Sequence, residues 1–161
     1  MTLDETLLPK LAEWRPAGPG PNHFSGSLAQ PGWTLTLTAA SAESLGCLVS
    51  ELSVRHAEQR PAAAAALTQW AVRCAQRVTG LLEPLKVVEV DATRGEAVLR
   101  SDKPAVRGEH LFYYELLLQG TQTATLRRYR SAKGNGRRET VSFALTHEAI
   151  AKLAADLTGA D

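Results

Sequence analysis

The chain has 161 residues, which fits one domain and is long enough to bury a core. Its hydrophobic content of 44% and charged content of 22% are ordinary globular values and set aside disordered and low-complexity classes. With 18 basic against 17 acidic residues, no overall field points to nucleic acid, a membrane surface or an acidic partner.

Two cysteines, Cys47 and Cys74, are too few for a disulfide scaffold or a metal cluster. Both sit in apolar surroundings, so buried reduced thiols are expected. A Cys47–Cys74 disulfide is the alternative in an oxidising compartment. The N-terminal stretch MTLDETLLPKLAEW has no basic region followed by a long apolar run, so a secretory signal is not expected. No stretch approaches the ~18 apolar residues of a membrane span. The expected location is the cytoplasm, with no membrane partner.

In chain order, residues 1–15 read as an N-terminal helical segment. Leu3, Leu7, Leu11 and Trp14 recur at helical spacing, and Asp4 and Glu5 suit the positive end of the helix. Pro9 is awkward inside it unless the helix begins there. Residues 16–32, rich in proline and glycine, read as a linker or irregular crossing that holds His23 and Phe24. Trp33 to Ala39 alternates, with Trp33, Leu35 and Leu37 on one side and threonines on the other, as in a strand with one wet face. Leu45 to Arg55 reads as a second strand, antiparallel to the first.

The best-specified element is the helix over 61–79. Pro61 suits its first turn. Leu67, Trp70, Ala71, Cys74 and Val78 form one stripe, and Gln69, Arg73, Gln76 and Arg77 form the opposite face. Gly80 is the expected stop. Two strands follow, Leu85 to Asp91 and Glu96 to Arg100, joined by a turn at residues 92–95. His110 to Gln119 is apolar on both faces and is the expected central strand. Gly120-Thr121 turns it into Gln122 to Arg130. A two-residue turn would set Phe112 opposite Tyr129, Tyr114 opposite Arg127 and Tyr113 opposite Arg128. Residues 133–136 make another turn, and Glu139 to Leu145 is the last strand. Thr146 caps a final helix over 146–158, with Ile150, Leu153, Ala154 and Leu157 buried and Gly159 as its stop. The expected fold is a single α+β domain over 33–158. It has an antiparallel sheet of six or seven strands, with the helices packed on one face.

The chemical motifs are few. His147-Glu148 begins like a zinc-protease HExxH motif, but Ala151 stands where the second histidine is needed. His147 is better read as a first-turn helix residue, although its charged form is disfavoured there. The four histidines are scattered, so no metal and no cofactor are expected. The glycines near residue 135 sit between strands and read as a hairpin tip. Glu89 and Asp91 share a strand face, but nothing around them supplies a pocket that would shift a carboxyl pKa.

The distinctive charge feature is a basic run: Arg127, Arg128, Arg130, Lys133, Arg137 and Arg138, with Tyr129 among them and no acid before Glu139. Arginine beside an aromatic ring can hold phosphate and stack on bases. Alternation sends Arg127 and Arg128 to opposite faces. Acids between residues 83 and 115, such as Glu83, Glu89, Asp91 and Glu115, can also pair with the run inside one sheet. Three readings stay open: internal pairing, an acidic protein partner, or nucleic acid. Tyr113 and Tyr114 join the basic residues as candidates for a binding surface.

The helix Pro61–Thr79, the strands at 85–91 and 110–118 and the helix Thr146–Leu157 follow an order that resembles the small α+β chaperones of type III secretion. The resemblance is topological. It implies a homodimer that presents sheet and helix surfaces to an extended partner segment. The function expected is therefore a non-enzymatic, chaperone- or adaptor-like protein-interaction domain, with a homodimer or another protein as partner. Nucleic-acid binding through the hairpin 127–138 is the alternative.

Overall fold

The computed structural model describes residues 4–16, 18, 20–58, 63–132 and 136–159. Among them the chain forms three helices and ten strands. The helices are α1 (Leu7–Glu13), α2 (Ala64–Arg77) and α3 (His147–Thr158). The long strands are β2 (Trp33–Ala42), β3 (Gly46–His56), β7 (His110–Gln119) and β8 (Thr123–Ala132). The shorter ones are β1 (Asn22–Ser27), β4 (Leu85–Asp91), β5 (Glu96–Ser101), β6 (Ala105–Arg107), β9 (Arg138–Val141) and β10 (Phe143–Thr146). All ten join one open antiparallel sheet in the order β1-β2-β3-β8-β7-β5-β4.

The remaining strands attach to this path. β6 continues the line of β5 along β7. β3 and β8 pair only through residues 52–55 and 123–126 and then diverge. β9 runs down the inner edge of β8, the chain turns at Ser142, and β10 runs back up the inner edge of β3. Gly46 is required where β10 closes on β3: a Cβ there would lie 2.6 Å from the Leu145 carbonyl oxygen.

Alternation decides which face is dry. Leu35 and Leu37 of β2, Leu52 and Val54 of β3, Leu99 of β5, Leu116 and Leu118 of β7 and Leu126 of β8 are buried on one side. The buried residues of all three helices belong to the same cluster: Leu7 and Leu11, then Leu67, Trp70, Ala71 and Cys74, then Ile150, Leu153, Ala154 and Leu157. The helices therefore cover one face and leave the other open. Trp70 joins the layers. Its ring lies 5.9 Å from that of Trp33, and its Nε1 donates to the Leu157 carbonyl at 2.8 Å.

Several expectations are corrected. The sheet has ten strands rather than six or seven, because β1 and β6 are short pieces with no readable alternation that form by pairing with longer neighbours, and because the strand expected over Glu139 to Leu145 breaks at Ser142 into β9 and β10. Part of the expected crossing over 16–32 is strand β1, held by β2 from Asn22 to Ser27, with Phe24 buried. Helix α1 runs from Leu7 and contains Pro9, which is tolerated in a first turn where the backbone donors have no helical partner. Helix α2 ends at Arg77, before Gly80, and its expected start at Pro61 lies outside the described residues. The β7–β8 loop has three residues, not two, since Gln119 pairs with Thr123. That one-residue difference sets Tyr113 opposite Tyr129, Tyr114 opposite Arg128 and Phe112 opposite Arg130.

Other features match. The β4–β5 turn falls at residues 92–95, with Gly95 at φ 67° and the Asp91 carboxylate accepting from the Arg94 amide. β7 is interior, between β8 on one side and β5 and β6 on the other. Thr146 caps α3 by accepting from the Ala149 amide at 3.0 Å, and Gly159 closes the helix at φ 75°. No described helix is long and apolar enough to cross a membrane.

Candidate functional site

The β7–β8 hairpin separates the candidate residues by face. On the open face, Glu115 of β7 receives Arg138 at 2.6 Å and Arg100 at 2.9 Å. The Arg138 guanidinium lies over the Tyr129 ring at 3.9 Å, and Tyr129 meets Tyr113 at 5.8 Å. Arg127 pairs with Glu51 of β3. Burial works to raise the Glu115 pKa, but the hydrogen bonds and charges of Arg138 and Arg100 outweigh it and hold the carboxyl below its ordinary value. In return, the hydrogen bond to Glu115 raises the Arg138 value.

On the helix-covered face, Arg128 is 4% exposed and reaches Glu83 at 3.0 and 3.3 Å. Ser101 Oγ donates to the same carboxylate at 3.0 Å and accepts from the Tyr114 amide at 2.8 Å. The Arg128 guanidinium stands 4.2 Å over the Tyr114 ring, and Tyr114 meets Phe143 edge-on. Arg130 pairs with Glu139.

The predicted residues thus do not form one surface. Tyr113, Arg127, Tyr129 and Arg138 share the open face. Arg128 and Tyr114 belong to the interior. Arg130 and Arg137 line a hollow at the outer end of β8 and β9, and Lys133 lies outside the described residues. Arg127, Arg128, Arg130 and Arg138 each contact a carboxylate. Two of the carboxylates, Glu83 and Glu115, come from the stretch expected to supply them.

A second surface had no motif. Leu45, in the β2–β3 turn, is 80% exposed, and Leu48 beside it is 39% exposed. Leu45 stands between two hollows. One, of about 360 Å³, is lined by Ser41, Glu43, Leu48, Ala144 and Leu145 among others. The other, of about 470 Å³, is lined by Leu8, Ala12, Ser44, His147 and Glu148. Both include Thr146. The only hint in the sequence was a leucine within the polar turn SAESLG, which read equally well as a strand start.

His147 forms part of the second hollow's wall. Its ring is buried, and Nε2 has no hydrogen-bond partner. Burial, helped by the charge of Arg15, lowers its pKa, against a smaller raising effect of the Glu43 backbone. The two thiols are buried and unbridged, and burial pushes Cys47 up to about 11 and Cys74 up to about 12. Among the described residues, no three His, Cys, Asp or Glu side chains converge to hold a metal. In comparisons with known proteins, no family model, curated protein or solved structure matches the chain.

Proposed function

We propose that this protein works by binding another protein chain rather than by catalysis, and that the partner docks at the end of the sheet around Leu45. The observation that carries the reading is the exposure of Leu45 between two hollows of mainly apolar lining. Full burial of one leucine is worth roughly 1.5–3 kcal/mol, so an anchor at this point has a clear gain from a partner. Glu43 and Glu148 stand at the two hollows and favour positive charge beside the anchor. The occupant is thus an extended partner segment with apolar side chains flanked by Lys or Arg.

Nucleic acid along the hairpin 127–138 is supported less well. A phosphate backbone there would compete with Glu51, Glu115 and Glu139 for their arginines.

The test is selection of a displayed random-peptide library on the intact protein and on Leu45→Asp, with circular dichroism confirming that the variant folds. Peptides pairing apolar with basic residues should be enriched, and their binding should fall with Leu45→Asp. Enrichment indifferent to that change would overturn the reading. So would sedimentation showing a stable dimer that Leu45→Asp dissociates, since Leu45 would then serve self-association.

A further inference from the structure

The sheet ends in two edge strands, and they differ. β1 has helix α1 beside it, and Lys10 of α1 donates to the Ser27 carbonyl at the end of the strand. β4 closes the strand order on the other side, and among the described residues no strand pairs with its outer edge. The backbone groups of an open edge are a template for another strand. Apolar side chains are exposed on the elements around it. Val88 of β4 is 47% exposed, Leu82 in the loop before β4 is 74% exposed, and Val72 of α2, the helix that contacts β4 and β5, is 44% exposed.

A bulge arranges the charges on this edge. Lys86 stands opposite Arg100 and Val87 opposite Leu99, but Val88 is an extra residue, and Glu89 stands opposite Val98. In a regular strand, positions 86 and 89 point to opposite faces. The extra residue turns both toward the open face, while Leu85, Val87 and Val90 pack against the core on the other. Lys86 has only a loose, exposed contact with Asp102 at 3.6 Å, and no ion pair holds Glu89 among the described residues. The edge therefore carries one cation and one anion on the same face, with exposed Val88 between them.

We propose that β4 joins a second copy of this chain. The two β4 strands run antiparallel about a twofold axis between Val87 and Val88. Lys86 of each copy then faces Glu89 of the other on the open face, and Leu85 faces Val90 on the helix side. Val88 is covered by Val87 of the other copy. Opposite charges directly across an antiparallel pair stabilise it, and like charges there destabilise it. The interface is isologous, so each facing pair occurs twice. The register that would set Lys86 opposite Asp91 instead uses a carboxylate already bonded to the Arg94 amide. β8, β7 and β5 separate β4 from β2 and β3, so the dimer leaves the surface around Leu45 free on both copies.

Sedimentation velocity at rising protein concentration reads the association. The protein should form a dimer that grows no further. Lys86→Glu and Glu89→Lys should each weaken it about tenfold, because each sets like charges across both symmetry-related pairs. An equimolar mixture of these two variants should regain association, because every facing pair in the mixed dimer is again of opposite charge. Val88→Asp should also weaken the dimer, and Leu45→Asp should leave it unchanged. Circular dichroism confirms that each variant folds; if Lys86→Glu does not, Glu89→Lys and Val88→Asp carry the test. The proposal fails if the protein stays monomeric as concentration rises, if neither charge variant weakens the dimer, or if the mixture of the two associates no better than each alone. It also fails if Leu45→Asp dissociates the dimer, because the interface would then be the other surface.

Discussion

Arg128 and Arg127 are neighbours in sequence with opposite fates. Alternation turns Arg128 into the dry face, where Glu83, Ser101 and Tyr114 surround it. Arg127 goes to the wet face and meets Glu51. A buried pair broken on one side leaves an uncompensated charge, so Glu83→Gln should destabilise the fold by ~3–5 kcal/mol. Urea unfolding measures this, and a loss below about 1 kcal/mol, the scale of an exposed pair, would contradict the interior placement. His147 gives a pH signature. Its folded pKa lies below the ordinary 6.5, so the unfolded chain takes up the proton first as pH falls. Its contribution to stability is therefore intact above about pH 6.5 and is lost as pH falls from there through the lower folded value. The difference in unfolding free energy between the protein and His147→Asn should change across that window and be flat above it. A difference that is flat throughout would refute the effect.

At the scale of elements, α2 is the helix whose stripe was plainest. Leu67, Trp70, Ala71 and Cys74 are buried as the 3.6-residue period requires. Trp70 is 4% exposed, packs on Trp33 and bonds the end of α3, so it ties sheet and two helices together. Trp70→Ala should cost ~3–5 kcal/mol, read as a lowered denaturation midpoint with an unchanged slope. A cost near zero would mean that the ring is not buried between the layers. The opposite face of α2 is not simply wet. Arg73 lines a hollow with Trp33 and Trp70 and lies close to Gly159, at the carbonyl end of α3 where a positive charge is favoured. Strand pairing was less legible than helix faces. The β7–β8 register depends on one loop residue, and a slip of one exchanges the faces of every side chain that follows.

At the scale of the molecule, period and capping in the sequence determined much. They gave helix α3 with its Thr146 cap and Gly159 stop, the stripe of α2, the paired strands β2 and β3, and the antiparallel character of the sheet. These are local properties, set by which residues recur every two or every 3.6 positions and by what a chain end needs for hydrogen bonding. Strands β1 and β6 were hidden because a short strand is formed by its neighbour's backbone donors and acceptors, not by its own side chains. The candidate site was legible only as composition. The basic run was visible, but its partners Glu51 and Glu83 lie 76 and 45 residues away along the chain. Only the order of strands brings those charges together. The same holds for the hollows on either side of Leu45 and for its exposure: a cavity is a gap between elements, and no single segment encodes it. The sequence by itself determined the elements and their wet and dry faces, because these follow from local periodicity. Tertiary structure alone decided which charges are neutralised and which surfaces stay open, because both depend on contacts between distant parts of the chain.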